Sequence, residues 1–162
     1  MKNIIYHPFP PLYDADSKIL ILGSFPSVKS REQQFFYGHP QNRFWAVTST
    51  VFKCETPKTV EEKKVFLHSN HIALWDVIAS CEIEGSADSS ITNVVPNDLR
   101  PVIDGSHIER IFVNGRAAEK FYNKYTRDIL ARDAIYLPST SPANAANSLD
   151  QLVAKWREIA EW

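Results

Sequence analysis

Four short apolar runs stand out along the chain, each closed by Gly, Asp, Asn or Pro. They are Lys18-Ile19-Leu20-Ile21-Leu22-Gly23, Ile72-Ala73-Leu74-Trp75, Arg110-Ile111-Phe112-Val113 and Ala134-Ile135-Tyr136-Leu137. Continuous rather than alternating apolar residues suit strands buried on both faces of a sheet. Between them lie stretches with apolar residues at helical spacing. Asn42 to Phe52 puts Phe44, Val47, Val51 and Phe52 on or near one face. Thr59 to Leu67 opens with Thr59 and carries Glu62 three positions on, a capping-box pattern. Arg116 to Tyr125 follows Asn114-Gly115, and Ser148 to Trp162 spaces Leu149, Leu152, Val153, Trp156 and Ile159 as a helix would. The opening His7-Pro8-Phe9-Pro10-Pro11-Leu12 is expected to be extended, since proline fixes its own φ and restrains the residue before it. Strands alternating with helices predict an α/β fold: a three-layer α/β/α sandwich around a central, mostly parallel four-stranded sheet. No repeat or linker interrupts it, so residues 1–162 are expected to form one domain, acting as a monomer.

Composition narrows the class. Nine Phe, six Tyr and four Trp are too many for a chain that buries nothing. No apolar run approaches the roughly 20 residues that cross a bilayer, so no membrane association is expected. The stretch from Met1 to Pro8 meets proline before a signal-peptide apolar region forms, which points to the cytoplasm. Two cysteines, Cys54 and Cys81, are too few for a four-thiolate metal site and are expected to be free and buried. With 18 Lys and Arg against 19 Asp and Glu, the chain does not coat nucleic acid by bulk electrostatics, although a small local phosphate footprint stays open. No cofactor or metal is called for.

In parallel sheets ligands gather beyond the carboxyl ends of the strands. There the chain places Gly23-Ser24-Phe25-Pro26-Ser27, Asp76, Asn114-Gly115 and Pro138-Ser139-Thr140-Ser141-Pro142-Ala143-Asn144. Small hydrogen-bonding groups beside flat aromatic faces suit a nucleobase, which needs stacking and edge recognition.

Gly23-Ser24-Phe25-Pro26-Ser27 followed by Tyr37-Gly38-His39-Pro40-Gln41-Asn42-Arg43-Phe44-Trp45 resembles the uracil-DNA glycosylase superfamily, most closely its hypoxanthine-DNA glycosylase branch. Trp75-Asp76-Val77 and Pro138-Ser139-Thr140-Ser141-Pro142 fall where that superfamily keeps later motifs. The resemblance implies a monofunctional glycosylase that flips a deaminated base, hypoxanthine first, out of double-stranded DNA and hydrolyses its N-glycosidic bond, leaving an abasic site. One departure matters: many relatives carry a water-activating Asn or Asp where this sequence has Phe25, which can neither orient water nor stabilise charge through hydrogen bonds. The hypoxanthine branch implies an essential asparagine outside that motif, and Asn42 is assigned the catalytic role. Tyr37 is assigned to stack on the base and Asp76 to read its edge. The backbone around Ser24 and Phe25 would line the base or hold the departing anion. Ser27, Ser30, Ser139, Ser141 and Asn144 are the candidate phosphate contacts.

Plainer roles stand beside these. Asn42 precedes a helix and would serve as its N-cap; Tyr37 would pack under its loop; Asp76 would cap a turn or pair with a cation. His39 reads as structural, and Ser141 lacks the Gly-x-Ser-x-Gly setting of a hydrolase nucleophile. Two other functions remain open: a uracil or G:T/U mismatch glycosylase of the same fold, and a catalytically inactive module that binds damaged DNA or a nucleotide.

Overall fold

The structure, a computed structural model, describes residues 3–161. Met1, Lys2 and Trp162, the ends of two stretches read above, lie outside them. The chain opens with β1 (Asn3–Tyr6), β2 (Ile19–Gly23), α1 (Val28–Gln33), α2 (Phe44–Val51) and α3 (Val60–Ser69). Then come β3 (Ile72–Asp76), β4 (Ile78–Ile83), a 3-10 turn at Asp88–Ser90, β5 (Thr92–Pro96) and α4 (Arg100–Asp104). The last part holds β6 (Arg110–Asn114), α5 (Arg116–Tyr125), α6 (Arg127–Leu130), β7 (Ile135–Leu137) and α7 (Leu149–Trp156), followed by a 3-10 turn at Arg157–Ala160.

The four apolar runs form one parallel sheet in the order β3-β2-β6-β7. Every residue of β2 and β3 is buried, as continuous apolar strands require when both faces are covered. Crossovers between parallel strands are right-handed. The chain steps from β2 to one side for β3 and from β6 to the other for β7, so the helices of the two crossovers fall on opposite faces. Both faces of the central sheet are thereby flanked, as expected. Phe44 of α2 and Trp156 of α7, both fully buried, meet edge to face at 5.9 Å. Burying each is worth about 1.5–3 kcal/mol. Trp156 Nε1 also donates to Pro138 O at 2.9 Å, tying α7 to the loop that follows β7.

Two capping boxes start helices where the chain signals them, Thr59 with Glu62 at α3 and Ser148 with Gln151 at α7. Elsewhere the boundaries move. The helix expected from Asn42 begins at Phe44, because Asn42 Oδ1 accepts from Phe44 N at 2.9 Å in a turn that precedes it. The final helix tightens into a 3-10 turn after Trp156, which lets Ile159 stay buried. The stretch after Asp76, where no strand was expected, contains β4, which pairs antiparallel with β1 and β5 in a second, three-stranded sheet. Cys81 is buried as expected; Cys54 is exposed. Among the described residues, no helix is long and apolar enough to cross a membrane.

Candidate active site

Strand register sets the site. Gly23 lies opposite Asp76, and Asn114 opposite Leu137, so the carboxyl ends of all four parallel strands finish along one edge of the sheet. A crevice of about 310 Å³ opens there, walled by the loop after β2, the Phe36–Asn42 segment, the Ser86–Asp88 turn and residues 139–143. Ligand sites span about 300–1,000 Å³, and this one lies at the small end, suited to one heterocycle.

Asp76 forms part of the floor. Its side chain is 6 % exposed, and Oδ2 accepts a 2.7 Å hydrogen bond from His7 Nε2. The proline-rich opening strap delivers His7 into a nest of rings, with Phe9 at 4.5 Å, Trp75 at 4.4 Å and Phe25 at 5.9 Å between centroids. Oδ1 turns toward Gly23, where a Cβ would come within 2.5 Å of it. Only glycine leaves that space.

Tyr37 sits at φ +50°, a left-handed backbone uncommon for an aromatic residue. The conformation lays its ring on Phe44, 4.1 Å between centroids and 16° from parallel, with Trp45 Nε1 donating to Tyr37 O at 3.1 Å. Its hydroxyl is buried without a hydrogen-bond partner. Burial, and then the nearby Asp76 charge, push its pKa well up, with Asn114 opposing; the phenol stays neutral.

Asn42 is not the N-cap expected of it: Arg43 holds that position without a side-chain cap, while Asn42 Oδ1 accepts from Phe44 N one residue earlier and its side chain lines the crevice. Nδ2 is left without a protein partner among the described residues. Ser24, Phe25, Ser27, Ser30, Ser139 and Ser141 line the same crevice. Ser30 Oγ accepts from Gly38 N at 2.9 Å and from Ser27 Oγ at 3.1 Å, so Ser27 has spent its proton while Ser30 has not. Ser139 and Ser141 accept from Ser141 N and Ala143 N in successive turns, again leaving the hydroxyl protons to donate. Asn144 stands outside the crevice wall; its Nδ2 donates to Ser139 O at 2.8 Å and its Oδ1 accepts from Ala146 N at 3.1 Å, bracing the loop. His39 also lines the crevice, and its Nδ1 accepts from Gln41 N at 3.1 Å within the turn.

Four side chains were not singled out. His7 is 69 residues from Asp76, and nothing local marks the pair. Arg43 reaches across to the loop after β7: its guanidinium donates to Asn147 O at 2.6 Å and Asn144 O at 2.7 Å, and its backbone N to Thr140 O at 3.0 Å. Asn114 pins the same loop by exchanging two hydrogen bonds with Thr140. Gly115, at φ +97°, lets the loop pass close, since a Cβ there would lie 3.0 Å from Ser139 Cβ. Asp88 reaches the crevice from the second sheet and accepts from Ser24 Oγ at 2.8 Å. The cluster of small polar residues from Ser86 to Ser90 was the one sequence signal for such a turn. Among the described residues, no group of three or more His, Cys, Asp or Glu is placed to hold a metal ion.

A narrow slot at the carboxyl edge of a parallel sheet, with an aromatic ring, a buried carboxylate and hydroxyl donors at its mouth, defines an α/β protein that takes in one flat polar heterocycle. The chain belongs to the uracil DNA glycosylase superfamily, whose sequence profile matches residues 10–160. It is similar to a hypoxanthine DNA glycosylase of Methanosarcina acetivorans, 36 % identical over 96 % of this chain and 98 % of that protein. A hypoxanthine DNA glycosylase of Methanosarcina barkeri is 30 % identical over 93 % of this chain and 94 % of that one. The solution NMR structure of a Methanosarcina acetivorans protein bearing the name uracil DNA glycosylase superimposes with a TM-score of 0.79. It is 32 % identical and covers 97 % of this chain and 99 % of its own.

Proposed function

We propose that this protein is a monofunctional DNA glycosylase that removes a deaminated base, hypoxanthine first, from double-stranded DNA. The observation that carries this reading is the convergence of Tyr37, Asn42 and Asp76 on one crevice of about 310 Å³. A base must leave the stack to reach it, at a cost of a few kcal/mol that is smallest for a mispaired base. One face of the Tyr37 ring is taken by Phe44, and the other receives the base. The Asp76 carboxylate, fixed by His7, accepts a hydrogen bond from N1–H of hypoxanthine; adenine has no proton at N1 and is refused. Hydrolysis passes through an oxocarbenium-like sugar while the base leaves with the bonding electron pair. Asn42 orients the attacking water, and backbone amides around Ser24 and Phe25 hold the developing negative charge. Ser30, Ser139 and Ser141 have hydroxyl protons to offer the phosphates flanking the flipped nucleotide, with Asn144 bracing their loop and Ser27 holding Ser30. No lysine lines the crevice among the described residues, which favours water over a Schiff-base nucleophile. The enzyme acts as a monomer in the cytoplasm, with DNA as its partner.

Incubating the protein with a deoxyinosine duplex and then cleaving with alkali tests the reading. Strand scission at the inosine, faster than at uracil in single turnover, is expected. Intact strands at every deaminated base, with tight duplex binding, would instead identify an inactive binding module.

A further inference from the structure

We propose that Asp88 is a second working carboxylate of the crevice, held by Ser24 and placed to take the proton of the attacking water. This rests on the glycosylase reading above. The chemistry asks for more than Asn42 supplies: an amide orients water but carries no charge, and it cannot accept the proton the water must lose. Phe25, buried in the crevice wall, offers neither. Among the described residues, two carboxylates face the crevice. Asp76 is engaged with His7, whereas Asp88 is bonded through Oδ1 to Ser24 Oγ at 2.8 Å and keeps Oδ2 without a protein partner.

The turn that carries Asp88 is built rather than loose. Ala87 N donates to Glu84 O and Ile91 N to Asp88 O. Two bonds anchor the turn to α1: Val28 N donates to Ser86 Oγ, and the Arg31 guanidinium to Gly85 O, each at 2.9 Å. The residue as a whole is exposed, yet its carboxyl meets the crevice walls. Desolvation there pushes its pKa up; the Ser24 hydrogen bond pulls it back, and the Asp76 charge adds to the rise. The groups facing it are Asp76 with its partner His7, Ser24 of the loop after β2 and Cys81 of β4. A carboxyl so placed is a better base than an exposed aspartate.

The step balances as follows. The water oxygen bonds to C1′ of the sugar as the bond from C1′ to the base nitrogen breaks, its electron pair leaving with the base. The water proton passes to Asp88 Oδ2 and from there to solvent, while the departing base takes a proton from solvent. Nothing is oxidised or reduced.

Single-turnover base release across pH, duplex affinity and thermal unfolding, all on the full chain, test this with Asp88→Asn and Ser24→Ala on deoxyinosine and uracil duplexes. Asp88→Asn keeps the size and the Ser24 contact but accepts no proton; it should lose about 100-fold or more in rate. Its duplex affinity should stay within about threefold of wild type, a shift of about 0.6 kcal/mol. The acid limb, which in the wild type begins where Asp88 takes up a proton, should begin at lower pH. Ser24→Ala removes the bond that lowers the Asp88 pKa, so its acid limb should move to higher pH. An Asp88→Asn protein that stays within about threefold of wild-type rate, or keeps the acid limb at its wild-type position, overturns the assignment. Should that variant fail to fold, the Ser24→Ala limb decides: an upward shift supports the role and an unmoved limb overturns it. A wild type that releases neither base overturns the glycosylase reading, and Asp88's role with it.

Discussion

Replacing Gly23 by alanine presses a methyl group into the floor of the crevice. Its Cβ would lie 2.5 Å from Asp76 Oδ1 and 3.5 Å from Tyr37 Oη, the first about 1 Å inside ordinary contact. Asp76 has no free path away, because its side chain is 6 % exposed and His7 holds Oδ2 at 2.7 Å. If the carboxylate breaks from His7, a buried acceptor loses its hydrogen bond, at about 1–3 kcal/mol or more. If β2 instead shifts against β3, overpacking costs about 1–3 kcal/mol. The cheaper response governs, so stability should fall by about 1–3 kcal/mol, at roughly 2–4 °C of Tm per kcal/mol for a chain of this size. Either response moves the Asp76 carboxylate, so release of hypoxanthine should slow more than release of uracil. Calorimetry and single-turnover release on the two bases check this. A Gly23→Ala protein with wild-type Tm and wild-type base preference would refute the reasoning.

Four further outcomes are expected. Asn42→Ala should abolish release while retaining duplex binding, with a stability loss of about 0.5–1.5 kcal/mol from the missing hydrogen bond to Phe44 N, read by anisotropy and denaturant titration. Arg43→Lys keeps the charge but cannot fork between Asn144 O and Asn147 O; amide exchange over residues 141–147 should quicken and duplex affinity fall about tenfold, or 1.4 kcal/mol. Asp88→Asn should match wild-type stability at acid pH and exceed it as pH rises. The folded carboxyl has its pKa raised, so its stabilising contribution is complete below the unfolded value and is lost as pH climbs through the folded one; unfolding at several pH values checks the sign. The formal charge of −1 implies few phosphate contacts, so the salt dependence of duplex binding should be shallow; a slope matching six or more contacts would contradict it.

The central sheet was legible because its strands are buried on both faces, and Ile19 to Leu22 can only be apolar there. The second sheet was not. In β4, Ala79 and Glu82 face outward between buried neighbours, and β5 ends on Pro96 with Thr92, Asn93 and Val95 exposed. Polar, half-wet strands of this kind read as loop until they pair: β4 with β1, 74 to 80 residues before it, and β5 with β4. The crevice followed from the sheet, since Ser24, Asp76 and Ser139 sit just where β2, β3 and β7 end. What the chain order concealed are the tertiary contacts that tune the site: His7 on Asp76, Arg43 on the loop after β7, and Asp88 on Ser24. Asn42 shows why local patterns alone under-determine function. The sequence around it asks for a helix cap, yet its Oδ1 meets Phe44 N one residue ahead of the cap position, and the side chain also lines the crevice.

The most direct measurement is a crystal structure of the protein bound to duplex DNA carrying 2′-fluoro-deoxyinosine, whose glycosidic bond resists hydrolysis. The hypoxanthine should lie outside the helix, its ring face on Tyr37 and its N1 edge toward Asp76. A base still stacked in the duplex, or lodged anywhere other than this crevice, would contradict the assignment.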